Sequence, residues 1–273
     1  MKISLLTIVY NRKSAILNML SGLCRGTVLP DEFIIVHMNE PSYDLGEYPF
    51  FVRELCIHTK QPLPLAQARN FAAREAIHEQ LIFLDADCIP SKSFVEKFSR
   101  ALGSHDALLS GRVAYLPKSA MTRTDLFSRL HQLSIPDPVR KDFLHYPYHL
   151  FWSLNFGCSR DIYDKIGGFD EDFEGYGAED TDFGFSARRL GVEMITINAF
   201  AYHQYHPSYD PPINHLQPIV KNAKHFKTKW GEWPMEGWLK KFSAMGYLRF
   251  TKDELEMLRM PVVEEFAALL KDT

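Results

Sequence analysis

The chain has 273 residues, of which 46% are hydrophobic and 24% charged. At roughly 100–200 residues per domain this is one large domain or two small ones, with enough apolar mass for a full core, which excludes disordered, collagen-like and disulfide-scaffold classes. Acids outnumber bases 34 to 31, a net charge of −3, so no global positive field marks nucleic acid as a partner.

The first element is the short apolar run at residues 3–10, which suits a strand buried on both faces, as in a parallel sheet. It is too short for a signal peptide, and no segment reaches the ~20 apolar residues of a membrane-spanning helix. A cytoplasmic location is the default expectation. Ile16, Leu17, Leu20 and Leu23 have helical spacing, with Ser14 as the expected N-cap. Phe33–Val36 reads as a second strand, so the first 40 residues form a βαβ unit. Leu65–Ile77 reads as a helix, Leu81–Leu84 as a strand ending on Asp85-Ala86-Asp87, and Ser91 or Ser93 as the cap of a helix running to Leu102. A further strand opens at Ala107–Gly111. This alternation predicts an α/β fold with a mostly parallel central sheet flanked by helices.

Prolines break up residues 115–150, which read as a long loop with helical pieces. Helices are expected over 161–167 and 180–190 and a strand over 192–200. After Pro211-Pro212 the composition shifts, which predicts a catalytic domain over 1–210 and a helical extension over 211–273 packed on it. Cys24, Cys56, Cys88 and Cys158 form no CxxC pair, so they are expected as reduced, mostly buried thiols rather than a zinc site.

Three stretches carry chemistry. Asp85 and Asp87 stand just past a strand's carboxyl end, where open α/β sheets bind ligands. Two carboxylates there repel unless a cation lies between them, and a hard divalent ion shared with substrate phosphates would serve. A plain surface turn would use the same residue types. Gly167-Gly168-Phe169-Asp170-Glu171 and Gly175-Tyr176-Gly177-Ala178-Glu179-Asp180 then combine glycines with acids at a helix start, where the macrodipole favours negative charge. N-capping alone would account for Asp180 but not for the glycines and aromatics before it. Finally, His203 and His206 follow a strand three residues apart, a spacing that suits metal binding better than an isolated histidine.

In this order, these motifs resemble those of inverting GT-A-fold glycosyltransferases of family 2, and in particular the C-terminal motif of the galactosyltransferase and chondroitin-polymerase group. Thr7-Ile8-Val9-Tyr10-Asn11-Arg12 and Ala68-Arg69-Asn70 also match, and the resemblance covers about residues 3–207. It implies a GT-A fold and transfer of a sugar from a nucleotide-diphosphate donor, with UDP as first choice, to a hydroxyl of a saccharide or lipid-linked acceptor. Thr7, Tyr10, Asn11, Arg12, Arg69, Asp85 and Ala86 would lie at the donor. Asp87 and His203, with Asp85, would hold Mn²⁺ or Mg²⁺, and His206 is a rival ligand. Asp180 matches the catalytic base and Glu179 the residue that orients the acceptor. Trp152 and Tyr176 would stack on the acceptor or belong to the core. Asn155 would approach the donor sugar or satisfy local backbone. The second strand lacks the usual paired aspartates, and Asn39 could bond a uracil in their place.

Two rivals are a nucleotidyltransferase and a nucleotide-sugar-binding module without catalysis. The first would carry a glycine-rich phosphate loop, and Tyr10–Ser14 contains no glycine; the second would be expected to lack Asp85, Asp87 or Asp180. In the tail, residues 221–241 combine six lysines with Trp230, Trp233 and Trp238. Such a segment can contact a membrane surface peripherally. The alternative packs the tryptophans on the catalytic part with the lysines in water, and Pro234 and Gly237, which interrupt a long helix, favour it.

Overall fold

The computed structural model describes residues 1–271. Strand β1 (Ile3–Val9) is buried along its whole length and is followed by α1 (Lys13–Leu23), β2 (Glu32–Met38), the half-exposed β3 (Phe51–Ile57), α2 (Leu65–Glu75) and β4 (Gln80–Leu84). Then come β5 (Cys88–Pro90), α3 (Phe94–Leu102), β6 (Leu108–Tyr115), the single turns α4 (Lys118–Met121) and α5 (Leu130–Leu133), β7 (Ile135–Pro136) and β8 (Asn155–Ser159). The chain continues through α6 (Arg160–Ile166), α7 (Glu179–Arg189), β9 (Met194–His203), β10 (Ser208–Tyr209), α8 (Leu216–Trp230), α9 (Glu236–Ala244), the hairpin β11 (Leu248–Phe250) and β12 (Leu255–Met257), and α10 (Val263–Leu269).

The central sheet runs β3-β2-β1-β4-β8-β6-β9-β5, with β7 on β6. Its first four strands are parallel, as the apolar runs predict. Antiparallel β8 is inserted between β4 and β6, and β6 and β9 are again parallel. Alternation divides β1 and β2 between two cores. Leu6, Ile8, Ile34 and Val36 pack under α2, α6 and α7, and Leu5, Val9, Phe33 and Ile35 pack under α1 and α3. Buried Glu32 starts β2 with its carboxylate answered by Ser4 Oγ (2.6 Å), Arg53 Nη1 (2.8 Å) and the Ile77 N–H (3.0 Å).

Several local expectations change. Helix α1 begins at Lys13, so Ser14 lies inside it, and Arg12 makes no side-chain cap. Strands β3, β5 and β8 appear where none was expected. The tail is not wholly helical, since β11 and β12 form a hairpin on a small core of Leu216, Ile219, Leu239, Phe242 and Leu248. Cys88 and Cys158 are buried as free thiols, but Cys24 and Cys56 are exposed, so burial covers only half of the cysteines. Among the described residues no helix is long and apolar enough to cross a membrane.

Candidate active site

The end of β4 is built by backbone bonds. The Asp85 N–H donates to Leu154 O and the Cys88 N–H to Asp85 O, both at 2.9 Å, which closes the turn Asp85–Cys88. The short β5 then pairs antiparallel with the end of β9, placing Cys88 opposite His203, and the Gln204 N–H donates to Asp87 O at 2.7 Å. These contacts bring two distant stretches together: ligand atoms of Asp87, His203 and His206 all lie within 4.8 Å of one another. Burial, reinforced by the charge of Asp87, pushes the Asp85 carboxyl up to about 6, with Arg69 pulling the other way. Burial pushes the His203 imidazole down to about 4 against the pull of Asp87, so at neutral pH it is uncharged with a lone pair to offer. One carboxylate and two imidazoles form a mixed O/N donor set; carboxylates suit Mg²⁺ and Mn²⁺ and imidazoles suit later transition ions, so the set fits Mn²⁺ better than Mg²⁺. Ala86, between the aspartates, is buried.

The β1 end faces this group. Arg12 reaches Asp87 with Nε at 3.2 Å from Oδ1, and its side chain is 41% exposed. Asn11 has a left-handed backbone, and its N–H donates to Glu40 Oε2 at 2.8 Å. Tyr43 donates to Glu40 through its hydroxyl, which also accepts from the Arg12 N–H at 3.0 Å. Tyr10 is exposed. Thr7 Oγ1 is buried without a hydrogen-bond partner and belongs to a small recess also lined by Arg69, Asp85 and Ser153. Such an orphan hydroxyl marks a point where a bound group can be received. Asn39 is committed elsewhere: its Nδ2 donates to Gln61 O (2.7 Å) and its Oδ1 accepts from the Thr59 N–H (2.8 Å). It braces the loop after β3, which accounts for the amide without a uracil.

The second acidic pair divides its work. Glu179 is buried; its Oε1 meets Arg69 Nη1 at 3.1 Å and its Oε2 accepts from the Gly177 N–H at 3.1 Å. Each oxygen has a partner inside the protein, so Glu179 acts as a brace between Arg69 and the turn before α7. Asp180 stands in the first turn of α7, half-buried, and Oδ1 accepts from the Thr181 N–H at 2.7 Å. Burial and the neighbouring Glu179 charge push its carboxyl up to about 7, while Arg69 and the backbone of Ser153 act in the opposite direction. Arg69 thus bears on Asp85 and on Asp180 at once.

Asn155 is buried on β8, its Nδ2 donating to Arg112 O at 3.3 Å, and its Oδ1 fills the space over Gly111, where a Cβ would lie 1.7 Å away. Its Nδ2 thus serves the local backbone, while its Oδ1 is buried without a hydrogen-bond partner. Trp152 is covered by Arg140, whose guanidinium carbon lies 4.2 Å from the ring centroid and whose Nε bonds Asp137 Oδ2 at 2.8 Å. Tyr176 stacks on His215 and Trp238, with centroids 4.5 and 6.0 Å away, so both aromatics have protein partners.

The tail contributes residues that the sequence did not single out for this role. Lys229 Nζ meets Asp170 Oδ2 at 2.6 Å and Asp182 Oδ2 at 3.0 Å, and Trp230 Nε1 donates to Asp182 Oδ1 at 2.7 Å. Trp233 Nε1 donates to Lys252 O at 2.7 Å. The three tail tryptophans, all partly exposed, each have a partner within the protein, and Lys229 is held by Asp170 and Asp182. Asp170 with Asp172 and His225 also has metal-like spacing, but Lys229 already answers Asp170.

Comparison with known proteins gives two family matches: glycosyl transferase family 2 over residues 4–167, and the N-terminal domain of galactosyltransferase over residues 139–209. A validoxylamine A glucosyltransferase from Streptomyces hygroscopicus subsp. limoneus is 27% identical over 214 residues, 68% of this chain and 47% of that protein. A chondroitin synthase from Escherichia coli is 24% identical over 75% of this chain and 35% of its own length. The chain thus spans half or less of the length of these relatives. Among solved structures, S. aureus TarS 1–349 in complex with UDP aligns with a TM-score of 0.56 at 16% identity, covering 83% of this chain and 66% of that one. GalNAc-T7 with UDP, GalNAc and Mn²⁺ aligns at 0.58 and 11% identity, covering 89% and 56%. At these identities the structural likeness establishes the GT-A fold alone.

Proposed function

The chain belongs to glycosyl transferase family 2, and from that premise we propose that it transfers a sugar, with inversion, from a UDP-sugar to a hydroxyl of a saccharide acceptor. The convergence of Asp87, His203 and His206 beside Asp85 carries this reading. Those residues would hold Mn²⁺, which when bound supplies positive charge against the departing nucleoside diphosphate. The printed ligands of the structural neighbours, UDP for TarS and UDP with Mn²⁺ for GalNAc-T7, support the same donor class.

The chain's own residues would divide the rest. Thr7 and Arg69, which line a small recess, and the Asn11–Arg12 turn, held by Glu40 and Tyr43, would receive the nucleoside. Asp180 takes the proton from the acceptor hydroxyl as its oxygen attacks the anomeric carbon, and its carboxyl at about 7 suits a base working near neutral pH. A single displacement of this kind inverts the anomeric centre. The test incubates the protein with a panel of nucleotide sugars and saccharides, with Mn²⁺ or with chelator. Metal-dependent UDP release and a product of opposite anomeric configuration are expected. Release of another nucleotide, retention of configuration or no release would contradict the proposal.

A further inference from the structure

We infer that helix α8, which lies beyond both matched segments, is the element that positions Asp180, and that Asn222 is its main point of attachment. The inference rests on the proposed role of Asp180 as base. Gly175, Gly177 and Ala178 all have positive φ (73°, 105° and 70°), so the turn leading into α7 is one that a side-chain-bearing residue such as Ala178 adopts only under constraint. The constraint comes from α8. Asn222 is fully buried, and its Nδ2 donates to Gly177 O at 2.9 Å and to Glu174 O at 3.1 Å. Pro218 packs against Gly175, 3.1 Å from where a Cβ would stand.

The same helix holds both flanks of the turn. Lys229 bridges Asp170 before it to Asp182 after it, and Trp230 adds its N–H to Asp182. The Asp182 N–H donates back to Ala178 O at 2.8 Å. From the opposite side Glu179 joins Arg69 to the Gly177 N–H. The base therefore projects from a turn clamped between α2 and α8, and Asn222, Lys229 and Trp230 are positioning residues that need not touch substrate. Removing Asn222 would leave two backbone carbonyls without their donor and release the turn.

The test compares Asn222→Ala and Trp230→Phe with the unaltered chain in UDP-sugar turnover, UDP affinity with Mn²⁺, and hydrogen exchange. In Asn222→Ala, turnover is expected to fall about 10- to 100-fold, the loss typical of a slightly misplaced group. UDP affinity should stay within about twofold, because the donor site lies on β1 and β4, and amides of residues 175–182 should exchange at least about tenfold faster while those of β1 and β4 do not change. Unchanged turnover or unchanged exchange over 175–182 would overturn the inference. Should Asn222→Ala fail to fold, Trp230→Phe decides. It keeps an aromatic ring beside Phe185 and Phe226 and under Arg189 and loses the donor to Asp182, so faster exchange over 175–182 with reduced turnover is expected, and unchanged exchange together with unchanged turnover would overturn the clamp. A native chain that releases no UDP would contradict the proposed reaction, while the exchange result still decides the clamp.

Discussion

Among the described residues two clusters have the spacing of a cation site, Asp170–Asp172–His225 and Asp87–His203–His206, and they are treated in different ways. Around Asp170 and Asp172 an ammonium is built in: Lys229 lies 2.6 Å from Asp170 and is shared with Asp182. Around Asp87, beside Asp85, the protein supplies a guanidinium in contact with Asp87 and the imidazoles of His203 and His206, and burial lowers the His203 ring. Asp170 is accordingly held below the usual carboxylate range, chiefly by Lys229 working against burial, while Asp85 is raised. Spacing alone does not separate a structural cluster from a candidate cation site; the charge that the protein itself supplies does.

Asp180 belongs with Asp85, since burial raises the carboxyl of both, and altering it should give the largest effect. Asp180→Asn keeps the shape but removes the base, so turnover should fall about 10²- to 10⁴-fold. UDP affinity, measured by calorimetry, should be unchanged; near-normal turnover would break the division of roles. The pH profile sharpens it further. A base must be ionised, so with a carboxyl at about 7 turnover should level off above that pH and drop about tenfold per unit below it. Glu179→Gln removes a charge that raises Asp180, so the acid limb should move to lower pH. A limb that stays in place would mean that Glu179 is not the electrostatic neighbour. A further effect is on stability, with no change expected at the donor site. Lys229→Met leaves buried Asp182 without its cation, and about 3 kcal/mol should be lost in denaturant unfolding, at the low end for a broken buried pair because Lys229 is itself 23% exposed. UDP affinity should not change, whereas loss of nucleotide binding would erase the contrast between the two groups.

The parts of this picture that sequence reveals are those with a local signal. Strands β1, β2 and β4 are apolar runs because both faces of the sheet are covered. Strand β3 is a half-exposed edge whose Arg53 and Glu54 interrupt the run, and β8 is a polar-ended segment with a glycine that becomes a strand only because β4 and β6 receive it. Asp85, Asp87, Asp180 and His203 stand out as motifs at element ends. The Arg69–Glu179 pair spans 110 residues and Asn222 meets Gly177 across 45; neither contact has a periodicity to betray it. For the same reason Asn39, Glu179 and Asn155 were legible as residues near the site but not as braces. Their hydrogen bonds to loop backbone or to a distant arginine exist only once the chain is folded.

The account depends most on Asp87 and His203 acting together on one cation beside the nucleotide. Titrating UDP into the native chain, Asp87→Ala and His203→Ala, each with Mn²⁺ and with chelator, tests that directly. Tight binding only in the native chain with Mn²⁺, weakened about 10- to 100-fold in either variant, is the predicted result. Equal affinity in all three proteins, whether or not the metal is present, would contradict it.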